Sequence, residues 1–163
     1  MKPGSLPLLL ILLAAALPAA AQDIVRHTIP GSDFPIAQAV TLPPNAIIHF
    51  ISGQVPPVVD KSAPGDSLAA FGNTKQQTVG VLNKVKEILA GMGLGMGDVV
   101  KMQVFLVGDP ARGGKGDVAG FMEGYTQFFG GAQPNLPARA VVQVAALSNP
   151  GWLVEIEVVA AKK

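Results

Sequence analysis

The chain has 163 residues, of which 49% are hydrophobic and 14% are charged, and it contains no cysteine. This length suits one ordinary domain with its own core, and the hydrophobic content argues against a disordered chain. The lack of cysteine excludes a disulfide scaffold, a zinc–thiolate site and a thiol nucleophile. A formal net charge of +1 shows no excess of basic residues of the kind that binds nucleic acid.

Residues 1–21 have the arrangement of a signal peptide. Lys2 precedes an apolar run that ends at Pro18, and three alanines before Gln22 offer a small-x-small cleavage site. The run is shorter than the roughly 20 residues that a membrane-spanning helix needs, although an uncleaved anchor is the alternative. Cleavage would leave a domain at residues 22–163 with 11 basic and 11 acidic side chains, because Lys2 is the one charged residue removed. We therefore expect a secreted or periplasmic protein with no membrane attachment after cleavage.

The rest of the chain predicts strands and two helices. Strands are expected where β-branched residues cluster, and helices where apolar residues recur at spacings of three and four. In chain order the pattern predicts a strand (47–51), a loop (55–67), a helix (74–90), a strand (99–107), a loop (108–116), a helix that is capped by Asp117 and ends at Gly130, and strands at 140–147 and 153–160.

This order predicts an α+β fold, in which a mixed sheet carries two helices on one face. The strand at 140–147 is apolar on both sides, whereas a half-solvated strand should alternate between apolar and polar residues. Two helices cover only one face of a sheet. We therefore expect the second face to be buried against other subunits.

Arg139 stands out because it follows Pro137 and Ala138 at the start of a strand that is otherwise mostly Val and Ala. A guanidinium is costly there unless it meets an anion. One possibility is an ion pair within the sheet, since Glu155 and Glu157 share one face of the last strand. The other is a carboxylate-binding site, because a guanidinium matches a planar carboxylate with two parallel hydrogen bonds. Both possibilities remain open from the residue types.

Few residues suggest a metal or a cofactor. The two histidines, His27 and His49, are far apart and lack metal-ligand spacing. The glycine-rich segment at 91–97 follows a predicted helix and precedes a strand, which is the reverse of a dinucleotide-binding loop. We therefore expect no metal site and no dinucleotide-binding loop.

Several segments together resemble the Rid (YjgF) family, in order and over essentially all of the mature chain. They are Ile51–Gln54, Asp98–Lys101 followed by Phe105 and Leu106, Tyr125–Phe129, Pro137–Arg139 and Val154–Ala160. The resemblance implies a chorismate-mutase-like α+β fold and a homotrimer whose sheets form a central barrel, with three clefts between subunits. It also implies cofactor-free hydrolysis of enamines and imines to a 2-keto acid and ammonia.

The resemblance also implies roles for individual residues. The carboxylate-binding arginine of the family falls on Arg139, and the glutamate that helps to place the attacking water falls on Glu155. The serine of the Ser-Gly-Gln motif falls on Ser52.

Three positions depart from the family pattern and become apolar. Ile36 stands in place of a tyrosine, Met122 in place of an asparagine and Val141 in place of a cysteine. We therefore expect these residues to line the substrate pocket, and we expect a substrate with a larger, more apolar side chain than the archetypal one.

Two other functions compete with an exported deaminase. A non-catalytic trimeric binding module would use the same cleft to hold a small carboxylate or an apolar metabolite, with Arg139 only as an anchor. Ribonuclease activity, which is reported in the family, is disfavoured because the mature charge is zero and the chain has a single Trp and a single Tyr. The expected partners are a small imino or keto acid and two further copies of the chain, with no nucleic acid.

Overall fold

The computed structural model describes residues 23–131 and 133–163. The predicted signal peptide therefore lies outside the described residues. The strands are β1 (Val25–Thr28), β2 (Ala37–Thr41), β3 (Ile47–Gln54), β4 (Val99–Val107), β5 (Ala138–Val144) and β6 (Val154–Lys162). The α-helices are α1 (Leu68–Phe71), α2 (Thr74–Gly91) and α3 (Val118–Tyr125).

All six strands belong to one mixed sheet in the order β1-β2-β5-β4-β6-β3. The strand β5 runs parallel to both of its neighbours, β2 and β4, whereas the other pairs are antiparallel. The two longer helices, α2 and α3, pack on one face of this sheet, and the core lies between them and the central strands. The predicted α+β fold with a mixed sheet and two helices on one face is confirmed.

Local side-chain bonds fix where the helices begin. At the start of α2, the Asn73 side chain accepts from the Gln76 N–H at 2.9 Å and the Gln76 side chain accepts from the Asn73 N–H at 3.0 Å, which forms a capping box. The predicted cap of α3 is confirmed, since Asp117 Oδ1 accepts from the Gly120 N–H at 3.0 Å. Gly124 on α3 lies so close to Thr78 on α2 that an added Cβ would come within 2.8 Å of it. A glycine there lets the two helices approach closely.

Several predicted boundaries were wrong. Helix α3 ends at Tyr125, because the Phe128 N–H bonds to the Tyr125 carbonyl at 3.0 Å in a tight turn that ends the α-helical pattern before Gly130. Phe129 is still fully buried, so the apolar pattern that predicted a longer helix reflects burial in the core and not the length of the helix. The sequence pattern also missed α1, β1 and β2, which are too short for a clear periodicity.

The sheet has one covered and one open face. Met102, Val104 and Leu106 of β4 are buried against the helices. On the opposite face, here called the open face, Phe50 is 82% exposed, and Ile48 and Val142 are also exposed. Exposed apolar side chains therefore lie on the open face, as the sequence pattern predicted, beside polar ones such as Glu155 and Glu157. In the described part of the chain, no helix is long and apolar enough to cross a membrane.

Candidate functional site

Arg139 is enclosed by aromatic rings. Its position on β5 pairs with Met102 of β4, so its side chain lies on the covered face, toward α3. The guanidinium carbon is 4.2 Å from the ring centroid of Tyr125, 5.1 Å from that of Phe121 and 5.5 Å from that of Phe34. Such contacts with ring faces stabilise the cation and fix its orientation.

The hydrogen-bonding capacity of this guanidinium is largely unused. Its Nη2 donates to Met122 Sδ at 3.3 Å, and a thioether is a weak acceptor. Its Nη1 is covered from solvent and has no hydrogen-bond partner. A covered donor without a partner costs free energy, which an incoming carboxylate would recover.

Burial dominates the electrostatics here. Desolvation lowers the pKa of Arg139, and the adjacent Tyr125 partly opposes that shift. Burial likewise raises the pKa of Tyr125 to about 12, although the nearby guanidinium works against it. An arginine remains protonated at physiological pH despite such a shift, so the site presents a poorly solvated positive charge.

The ion pair considered for Arg139 is absent from the described residues. Glu155 of β6 pairs with Phe105 of β4 and so lies on the open face, whereas Arg139 lies on the covered face. Arg139 on β5 and Glu155 on β6 are two strand spacings apart across the sheet and three residues apart along it, so their Cα atoms are roughly 14 Å apart. Within the described chain no carboxylate comes within ion-pair distance of Arg139. The intrasheet pairing hypothesis is therefore wrong for a single chain.

Glu155 lies beside the Ser52–Gln54 segment of β3. The pairing of β3 with β6 is irregular between Ile51 and Gln54, and an added Cβ at Gly53 would overlap the Glu155 carboxylate. The Glu155 carboxylate can therefore occupy its observed position only with a glycine at position 53. Ser52 is exposed next to it.

The start of β6 is positioned by a buried amide. Gln77 of α2 donates to the carbonyls of Gly72 and Gly151, each at 2.9 Å, and accepts from the Leu153 N–H at 2.7 Å. These three bonds satisfy a side chain that is almost fully buried. They fix the backbone two residues before Glu155.

An open groove of about 390 Å³ runs between β2 and β5. The two strands pair at only one position, Ala37 with Ala138, and the groove lies where the strands are no longer paired. Ile36, Lys101 and Arg139 are among its lining residues, and the described lining contains two cations without a carboxylate. The groove thus suits an anion with an apolar portion.

The structure divides the predicted site residues into two groups. Arg139, Met122 and Ile36 come together at β5, where Val141 packs at the edge of the core. The second group, Ser52 and Glu155, lies across the sheet at the junction of β3 and β6. One chain therefore holds two half-sites.

Sequence reasoning missed Phe34, which contributes an aromatic face to the guanidinium. It lies between β1 and β2 and is about half exposed, so neither periodicity nor a motif marked it. Phe34 stands between Asp33 and Pro35 in a turn-rich segment, which indicates a loop but not which residues the ring contacts. In the described residues, no group of three His, Asp or Glu side chains is placed to hold a metal ion.

Comparison with known proteins agrees with this fold. A family model described as endoribonuclease L-PSP matches residues 30–162, which is most of the chain. The crystal structure of YyfB from Yersinia pestis, described as a member of the conserved Rid protein family, superposes with a TM-score of 0.60 at 26% identity, covering 86% of this chain and 100% of the other. The chain belongs to the Rid family.

Other relatives are similar over much of their length. TdcF of Escherichia coli, provisionally named a reactive intermediate deaminase, is 34% identical over 134 residues, which cover 82% of this chain and 91% of TdcF. The protein DfrA of Myxococcus xanthus is 36% identical over 128 residues, covering 77% of this chain and 84% of DfrA. A YjgF-family structure from Neisseria meningitidis has a TM-score of 0.52 at 26% identity, covering 88% of this chain and 98% of the other.

Proposed function

We propose that this Rid-family protein hydrolyses 2-imino acids, and the enamines that tautomerise to them, to a 2-keto acid and ammonia. The observation that carries the proposal is the Arg139 guanidinium. It is half-buried and stacked on Tyr125, and its Nη1 has no partner among the described residues. Its open hydrogen-bonding capacity fits the carboxylate of a small organic acid. The similarity to TdcF supports a reactive-intermediate substrate.

The reaction needs positioning more than strong chemical activation. An iminium carbon is already electrophilic, so water adds to it to form a carbinolamine. The C–N bond then breaks, the carbonyl forms, and the nitrogen leaves as ammonium. In this scheme Arg139 holds the substrate carboxylate, while Glu155 accepts a proton from the attacking water and returns it to the nitrogen. The balance is one iminium acid and one water to one keto acid and one ammonium.

We further propose that Arg139 and Glu155 meet across a subunit boundary of a homotrimer. Within one chain they lie on opposite faces of the sheet, so they cannot hold one small molecule together. The apolar open face, with Phe50 at its most exposed point, offers the surface for association. Association through that face would bring the Ser52 and Glu155 half-site of one chain toward another chain.

The experiment is a coupled assay with imines generated in situ by an amino-acid oxidase. We expect the purified oligomer to accelerate formation of the keto acid and ammonia, and Arg139→Met to abolish the acceleration. Hydrolysis of both small and bulky imino acids at the uncatalysed rate would overturn the proposal.

A non-catalytic binding module is the second candidate, and one observation favours it. A single chain separates the cation from the carboxylate, so Arg139 could anchor a ligand without any base nearby. Calorimetric binding of 2-keto acids that depends on Arg139, together with an inactive deaminase assay, would select this reading. Ribonuclease activity is not proposed despite the description of the family model, because a chain with a formal net charge of +1 provides little attraction for a polyanion.

Export also belongs to the proposal. It depends on residues 1–21 alone, which predict a cleaved signal peptide and a secreted or periplasmic domain at 22–163. Fractionation of a bacterial host that expresses the full chain, with the mass of the mature protein, would test it.

A further inference from the structure

We infer that Phe34 is a specificity-determining residue, which selects 2-imino acids with aromatic or branched aliphatic side chains. The inference rests on the proposed function and adds the substrate class. It is carried by the position of an exposed aromatic ring over the cation that would hold the substrate carboxylate.

The three rings around Arg139 differ in their freedom to move. Tyr125 and Phe121 are fully buried in the core, whereas Phe34 is 47% exposed. Because Arg139 Nη1 is covered, a carboxylate can reach it only if a covering side chain yields. Phe34 is the ring on the solvent side, so the approach to the guanidinium passes along its face.

The backbone that carries Phe34 is held in place although its ring is about half exposed. Tyr125 donates its hydroxyl hydrogen to the Pro35 carbonyl at 2.7 Å, and the Ile36 N–H bonds to the Phe34 carbonyl at 2.7 Å. The Phe34 N–H in turn donates to Ser32 Oγ at 3.2 Å. The ring is therefore attached to a fixed point and can rotate against a ligand without losing its place.

Arg139, which contacts the Phe34 ring, also lines the largely apolar groove between β2 and β5. Ile29 and Ile36 line it together with Arg139, so a substituent next to a bound carboxylate would lie between aliphatic side chains and the Phe34 ring. An aromatic or branched side chain would bury apolar surface there, whereas a methyl group would leave the ring largely exposed. Ile36 replaces the tyrosine of the family pattern, and Phe34 supplies an aromatic ring two residues earlier.

The test compares imines derived from phenylalanine and from alanine, with phenylpyruvate and pyruvate as the matching ligands for calorimetry. For Phe34→Ala we expect the preference in kcat/KM for the phenylalanine imine to fall about tenfold or more, mainly through KM. The affinity for phenylpyruvate should fall in parallel, while pyruvate binding changes little. Phe34→Tyr should retain the preference, since it keeps the ring.

Controls separate this inference from the proposed function. Met92→Ala removes a side chain of nearly equal exposure, 46%, from the end of α2, and should leave the preference unchanged. If Arg139→Met has no effect on activity or binding, the proposed function fails. If Arg139→Met abolishes both while Phe34→Ala leaves the preference intact, the Phe34 inference alone fails. A loss of oligomer stability in Phe34→Ala without a change in preference would also overturn it, because the ring would then serve an interface.

Discussion

The prediction that follows most directly from the geometry concerns Arg139→Met. Two charge-assisted hydrogen bonds to a carboxylate contribute about 1.5–3 kcal/mol each, and dehydration of the ligand offsets part of that gain. A net loss of about 3–4 kcal/mol corresponds to a fall of roughly 10²- to 10³-fold in kcat/KM or in keto-acid affinity. Arg139→Lys keeps the charge but loses the planar fork and its stacking on Tyr125, so we expect it to recover only part of this loss.

The same substitution should leave the fold nearly as stable as before. In the free protein Arg139 has no acidic partner among the described residues, and its Nη1 is unsatisfied. Removing the guanidinium loses cation–π attraction but also removes a desolvation penalty. We therefore expect the free energy of unfolding to change by less than about 1 kcal/mol.

Urea unfolding at a fixed protein concentration, together with calorimetry of 2-keto acids, measures both effects. Arg112→Met is the matched control, because Arg112 is half exposed, pairs with Asp117 and is not among the residues that line the groove beside Arg139. If Arg139→Met binds keto acids as tightly as the wild type, Arg139 does not hold the carboxylate. If the variant is destabilised by several kcal/mol, Arg139 is a structural group and the expected small change in stability is wrong.

Three further predictions concern the half-sites and the open face. Gly53→Ala should displace the Glu155 carboxylate and lower kcat by about 10- to 100-fold, with keto-acid affinity unchanged. Burial raises the pKa of Tyr125 in the folded protein to about 12, so between pH 10 and 12 the unfolded chain should lose this proton while the folded protein keeps it. Over that range Tyr125 should lower the free energy of unfolding by about 1.4 kcal/mol per pH unit. Phe50→Asp should dissociate the oligomer in analytical ultracentrifugation, because it places a charge in an apolar contact.

Matched variants check each of these results. Gly65→Ala adds a methyl group where nothing lies within 4 Å, and a loss of kcat as large as that of Gly53→Ala would contradict the role assigned to position 53. Tyr125→Phe should flatten the alkaline limb of the unfolding profile, and an unchanged slope would assign that limb to other groups. Val118→Asp changes an exposed valine on the helical side, and dissociation by this variant would show that the open face is not the contact.

The sequence predicted the layered arrangement because its strongest signals come from long periodic segments. The strand at Val99–Val107 and the helix that begins at Thr74 were placed correctly, since both bury a continuous apolar stripe. The short strands β1 and β2 escaped prediction, because four or five residues give too few repeats to show a period. Boundaries at Phe128 and Phe129 were misplaced, because a turn can bury aromatic rings as well as a helix does.

The candidate site was less predictable, because it depends on which face each residue takes. The sequence places Glu155 and Glu157 on one face, and the structure agrees. It gives no information on the register between β5 and β4, which decides that Arg139 faces α3. The ring of Phe34 reaches the guanidinium from a loop, and only tertiary packing reveals that contact.

In the proposed trimer, Arg139 of one subunit and Glu155 of another complete a single site. Mixing two inactive variants tests it most directly, and Arg139→Met and Glu155→Gln would be unfolded and refolded together in equal amounts. If each site takes one residue from each of two neighbouring subunits, random assembly into trimers should restore about a quarter of the wild-type activity. If both residues of each site come from the same chain, the mixed protein will stay as inactive as either variant alone, which would contradict a site shared between subunits.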